Sequence, residues 1–120
     1  MKIYCVFSKE ALEKMNGIRG KLAAQAGHAY LHAWWDASDR FPKAAKAYRE
    51  SNHVRKITLV VDTDAELEAL GLSYRNICGV SLVVDAGFTV FKEPTITCLG
   101  IGPITDEQVK DDLKKLKTLT

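Results

Sequence analysis

Cysteine is scarce in this 120-residue chain: Cys5, Cys78 and Cys98 are odd in number, far apart and without a C-x-x-C pair. That excludes a disulfide framework and a dithiol redox motif. Each lies in or beside an apolar run, as a reduced core thiol of a cytoplasmic protein does. No apolar stretch approaches the roughly 20 residues needed to cross a bilayer. Charged Lys9, Glu10 and Glu13 follow Phe7 too closely for a secretory signal. A cytoplasmic location with no membrane partner is therefore expected. Histidine is also sparse. His28 and His32 stand four apart but lack the intervening glutamate of a metalloprotease helix, and no cysteine or carboxylate joins them at ligand spacing. No metal is expected. Repeats, low-complexity tracts and linkers are missing too, so residues 1–120 read as a single domain.

What is present is an ordinary globular balance, 47% hydrophobic and 27% charged, with a net charge of only +2. The halves differ. Residues 1–60 carry 11 Lys and Arg against 5 Asp and Glu, whereas residues 61–120 carry 6 against 10. Such asymmetry allows a basic face that attracts phosphates, although solvated surfaces show it as well.

The chain is organised around Gly17–Asp36, where two glycines flank Arg19 and lead into an alanine-rich run without proline. This predicts a glycine loop opening a long helix. At about 100° per residue, Leu22, Ala26, Ala29 and Ala33 share one side, Ala24, Leu31 and Trp35 another, with Ala23, Tyr30 and Trp34 between. A helix so widely apolar is expected to be largely buried, with Trp34 and Trp35 packed in the core. An exposed indole there would mark a dimer or ligand surface. The remaining polar seam, Lys21, Gln25, His28, His32 and Asp36, is the first candidate site. A solvated lysine and a packed histidine are the plain alternative. The loop is not a Walker-type phosphate loop, having two residues between its glycines and Leu22 after the lysine. Free N–H groups at the helix start, with Arg19 and Lys21, still favour an anion.

In chain order, residues 2–7 predict a strand and Ser8 caps a short helical turn through Lys14. After the long helix, Pro42 begins a basic helix whose Lys43, Lys46 and Arg49 share a side, either solvated or facing nucleic acid. Lys56–Val61 is a second strand. Thr63 and Glu66 form a capping box for a helix through about Arg75, with Gly71 kinking or ending it. Residues 80–85 predict a third, buried strand ending on Asp85, and residues 95–102 a fourth, ended by Gly102-Pro103. The last two strands are close enough for an antiparallel hairpin. Thr105 and Gln108 form a capping box for a final helix to about Leu116. The order β-α-α-β-α-β-β-α supplies helices for both faces of a small mixed sheet. Asp85, at the carboxyl end of a strand and before the Ala86-Gly87 turn, stands where open α/β sheets place ligands; otherwise it only caps the turn.

G-K-L-A-A-Q-A-G-H-A from Gly20, D-A-G-F-T from Asp85 and T-I-T-C-L-G-I-G-P from Thr95 occur in this order. Together they resemble the type-II peptidyl-tRNA hydrolases, and the resemblance covers nearly the whole chain. It implies an α/β fold with a three-layer α/β/α arrangement on a four-stranded mixed sheet, often dimeric, working without metal or cofactor. It also implies hydrolysis of the ester joining a peptide to the 3′-terminal ribose of tRNA, in the recycling of tRNA from stalled ribosomes. Lys21, Gln25, His28, Asp85, Thr89 and Thr97 sit on family motif positions. Arg19, Gly20 and Thr95 flank them as substrate contacts.

Ester hydrolysis needs a positioned water, charge stabilisation for the oxyanion and a proton for the departing ribose hydroxyl. Lys21 as an ammonium can stabilise the oxyanion, and Asp85 can hold it or accept a proton from water. Thr89 and Thr97 can orient water or ribose. Gln25 and His28 can bind the terminal nucleotide or peptide carbonyls, and the sequence leaves open whether His28 or Asp85 is the base. Three departures lie at the rim: a longer opening before Gly20, Phe88 where relatives carry a polar residue, and Glu93-Pro94-Thr95 in place of Pro-Gly-Ser/Thr. They leave room for a non-catalytic binding member of the fold, or for a hydrolase of a related aminoacyl ester.

Overall fold

A computed structural model describes residues 1–88 and 90–120. Strand β1 (Lys2–Ser8) runs into helix α1 (Lys9–Met15), whose N-cap Ser8 accepts from the Ala11 N–H at 3.0 Å. Asn16 closes α1 in the left-handed region, a conformation its short polar side chain tolerates. Helix α2 (Arg19–Arg40) extends four residues beyond Asp36, and α3 (Pro42–Glu50) begins on the proline. Strand β2 (Arg55–Val61) and helix α4 (Asp64–Tyr74) follow. Thr63 accepts from the Glu66 N–H, but the Glu66 carboxylate reaches Asp62 N–H rather than Thr63, so half the expected box forms. Gly71 does not end α4, which runs on to Tyr74.

Strand β3 (Val80–Asp85) turns into β4 (Thr95–Ile104) as the predicted antiparallel hairpin. β4 does not stop at Gly102-Pro103 but continues to Ile104 through contacts with β1. The Thr105–Gln108 capping box is present, yet it opens only a 3₁₀ turn, Asp106–Gln108. Val109 is then extended, and its side chain joins the core. The expected last helix is thereby reduced to α5 (Asp111–Lys114), and Lys117–Thr118 adds β5 antiparallel to β2. The mixed sheet among the described residues therefore has five strands rather than four, in the order β3-β4-β1-β2-β5, with β1 and β2 parallel.

Alternation along β1 divides the core. Tyr4 and Val6 join Leu67, Leu70 and Tyr74 of α4, whereas Cys5 and Phe7 join Ala29 of α2 and Met15, and Ile3 meets Ala33 and Tyr48. The expectation of a largely buried α2 does not hold. Only Gln25, Ala29, Ala33 and Ala37 are buried, while Ala23, Ala24, Leu31 and Trp35 are exposed. The reason is the narrowness of the contact. A Cβ on Gly100 would lie 2.1 Å from Ala29 O, and one on Gly79 would lie 2.3 Å from Ala33 O. Helix backbone thus rests almost directly on β4 and the start of β3, and only small side chains fit between. β3 is likewise not buried. It is an outer strand, with Leu82 37% and Val84 54% exposed.

Candidate active site

The close seating of α2 brings its first two turns over the carboxyl end of β3. Lys21 Nζ lies 2.5 Å from Asp85 Oδ2, and both side chains are largely buried, 13% and 11% exposed. Gln25, one turn along and 2% exposed, donates its Nε2 to the same oxygen at 3.0 Å. The other carboxylate oxygen accepts the Gly87 N–H at 2.8 Å. That turn needs its glycine: φ is +87°, and a Cβ would meet the Glu93 backbone at 2.6 Å. The Lys21 ammonium, then the Gly87 and Gln25 donors, hold the Asp85 carboxyl below the usual aspartate range against the opposing effect of burial. Asp85 is therefore a carboxylate at neutral pH.

Thr97 completes the arrangement from β4. Between Val83 and Val84 the register slips by one residue on β4, so that Thr97 is the extra residue of a bulge. Two consecutive residues, Thr97 and Cys98, thereby both reach α2, whereas a regular strand would send one to the opposite face. Thr97 Oγ1 donates to Gln25 Oε1 at 2.7 Å, and Cys98 Sγ contacts Gln25 O at 3.4 Å. The result is a continuous chain, Thr97 to Gln25 to Asp85 to Lys21. Phe91, buried, places its ring centroid 5.5 Å from Lys21 Nζ. Nothing in the periodicity of the loop before Pro94 marks this residue, and sequence reasoning missed it.

The remaining expected residues fall into two groups. Thr95 is buried directly across from Asp85 in the sheet register, its hydroxyl donating to Glu93 O at 2.9 Å. Arg19 and Gly20 are exposed in the first turn of α2, where the N-cap Ile18 supplies no side-chain bond to the helix start. The lower seam does not join Asp85 as a row. The His28 and His32 rings meet at a tilt, 5.4 Å apart, and His32 stacks on Trp35 at 5.2 Å, while Asp36 pairs with Arg40 and accepts the Val80 N–H at 2.8 Å. Trp35 is 52% exposed, contrary to the expected core position. Thr89 lies outside the described residues. An apolar groove of about 940 Å³, lined by Ala26, Tyr30, Trp34 and Tyr48, opens on the other flank of α2.

Comparison with known proteins settles the family. The family model described as peptidyl-tRNA hydrolase PTH2 matches residues 1–119. This chain belongs to the PTH2 family of peptidyl-tRNA hydrolases. The peptidyl-tRNA hydrolase of Methanopyrus kandleri is 39% identical over 92 residues, covering 76% of this chain and 78% of that protein. That of Methanocaldococcus jannaschii is 31% identical over 102 residues, covering 84% and 88%. A more distant relative, the mitochondrial peptidyl-tRNA hydrolase 2 of Mus musculus, is 30% identical over 99 residues, 82% of this chain and 55% of that protein. No helix among the described residues is long and apolar enough to cross a membrane.

Proposed function

We propose that the protein hydrolyses peptidyl-tRNA, cleaving the ester between the peptide and the 3′-terminal ribose and releasing free tRNA and peptide. The observation that carries this reading to particular residues is the Lys21–Asp85 pair, held by Gln25 and Gly87 at the end of β3. One water is consumed. Its oxygen bonds to the ester carbonyl carbon and the bond from that carbon to the ribose oxygen breaks; one water proton ends on the ribose oxygen, and the other is released to solvent as the new peptide carboxyl ionises.

Lys21 faces the oxyanion as an ammonium in a water-poor setting, where a fixed charge stabilises developing negative charge strongly. Asp85, held below the usual aspartate range chiefly by Lys21, stays ionised beside it. Its role in this reading is to aim Lys21 and to orient the attacking water. Gln25 and Thr97 fix that carboxylate, and Thr89 and Thr95 serve the water or ribose. His28 contacts the terminal nucleotide, and Arg19 and Gly20 hold its phosphate at the helix start. The alternation of β1 between two core clusters supports an α/β/α layering, and the match over residues 1–119 supports a single domain. A cytoplasmic enzyme that recycles tRNA from stalled ribosomes fits this reading, and exposed Trp35 is its candidate dimer surface.

The test is release of peptide from N-acetylated aminoacyl-tRNA by purified protein. Multiple turnovers are expected. A folded protein that binds tRNA without releasing peptide would overturn the hydrolase reading in favour of a binding member of the family.

A further inference from the structure

β3 ends on Asp85 and pairs with β4 alone among the described residues, leaving its other side as an open backbone edge. Natural sheets protect such edges with charges, proline or irregularity. Here Val80–Val84 is V-S-L-V-V, without charge or proline, and the bulge lies on β4, so β3 itself is unbroken. Gly102 N–H donates to Gly79 O, while the Val80 N–H is taken by Asp36. In an antiparallel ladder, residues alternate between facing the partner and facing away. Carried along the register, with the bulge included, this turns the backbone groups of Leu82 and Val84 outward. Their side chains are exposed too.

Resting on the hydrolase reading above, we propose that this edge receives the peptide portion of the substrate as an added strand. The peptide's ester carbonyl must lie at Lys21 and Asp85, and β3 runs towards Asp85. A chain laid with its carboxyl end there runs the same way, so the added strand is parallel. The chemistry suits the substrate class: a peptide interrupted at any point of its synthesis has no fixed sequence, and main-chain hydrogen bonds are indifferent to side chains. At about 3.3 Å per residue, the rungs offered by Val84 and Leu82 are both reached within about four residues of the ester.

The experiment measures kcat/KM for tRNA carrying N-acetylated acyl chains of one to six residues. The expected result is a rise of about tenfold from one residue to about four, then a plateau. Methylating single peptide nitrogens of the six-residue substrate is expected to lower kcat/KM at alternate positions. Leu82→Pro removes one outward N–H at a place where an edge strand tolerates proline, and is expected to bring the ratio of long to short substrates towards one. Its folding is checked by circular dichroism; should it fail to fold, the methylation scan on the unaltered protein decides alone. Rates independent of chain length, or methylation effects without alternation, overturn the proposal. A dimer dissolved by Leu82→Pro, with no length dependence, assigns the edge to a second copy and overturns it equally. Absence of turnover on every substrate strikes the hydrolase reading itself, and this proposal with it.

Discussion

Thr97 Oγ1 donates to Gln25 Oε1 at 2.7 Å, and that one bond fixes which end of the glutamine amide faces Asp85. A carboxylate offers only acceptors, so it must meet the Nε2 end. Thr97→Val leaves a buried amide oxygen without its donor, at a cost of about 1–3 kcal/mol. With Gln25 free to turn, kcat/KM is expected to fall at least tenfold, since small misplacements of catalytic groups are costly. Thr97→Ser is expected to recover most of the loss. Equal kinetics for the valine and serine variants would contradict the relay.

Gly100 governs how close α2 comes to the sheet. In Gly100→Ala the new methyl would lie 2.1 Å from Ala29 O, so the helix must lift. Overpacking of this kind costs about 1–3 kcal/mol. A urea unfolding curve is expected to show that loss, and hydrolysis is expected to fall with it, because Lys21 and Gln25 ride on the same helix.

Acid stability reports the ion pair directly. Asp85 is held below the usual aspartate value chiefly by Lys21, so the unfolded chain takes up its proton first as pH falls. The pair's stabilisation is complete above the ordinary aspartate pKa of about 3.9 and is lost as pH drops through the lower folded value. Lys21→Ala removes the main cause. Its unfolding free energy, measured by urea titration between about pH 5 and pH 3, is expected to fall less steeply than that of the unaltered protein. Identical slopes would show that Lys21 does not hold Asp85 in solution.

Salt dependence tests the nucleic-acid face. Lys43, Lys46 and Arg49 are exposed on α3. If they meet tRNA phosphates, affinity falls steeply with salt, and replacing all three with alanine is expected to flatten the logarithmic slope by about two to three. An unchanged slope would leave them as a solvated face.

Much of this site was legible in the sequence, for physical reasons that also mark where legibility ended. Lys21 and Gln25 stood out because polar residues on an alanine-rich helix need a purpose, and Asp85 because a carboxylate at the carboxyl end of a strand stands where open α/β sheets place ligands. Thr97 was named from a motif, but the bulge that aims it has no signature in a single chain. Phe91 was missed because an irregular loop has no periodicity to read. The burial of α2 was overestimated because alanine fits either an interior or a surface, and Gly100 and Gly79 narrowed the contact to one stripe. β5 escaped because two residues, Lys117 and Thr118, carry no alternation.

The central claim is that Lys21 and Asp85 act together on the ester. Its most direct test is single-turnover release of peptide from N-acetylated aminoacyl-tRNA by the unaltered protein, Lys21→Ala, Asp85→Ala and the double variant, each confirmed folded. The account predicts that each single substitution lowers the rate at least a hundredfold, and that the double variant is little worse than either, as for groups that work as a unit. Turnover that survives both substitutions would place the chemistry elsewhere on the chain and contradict the account.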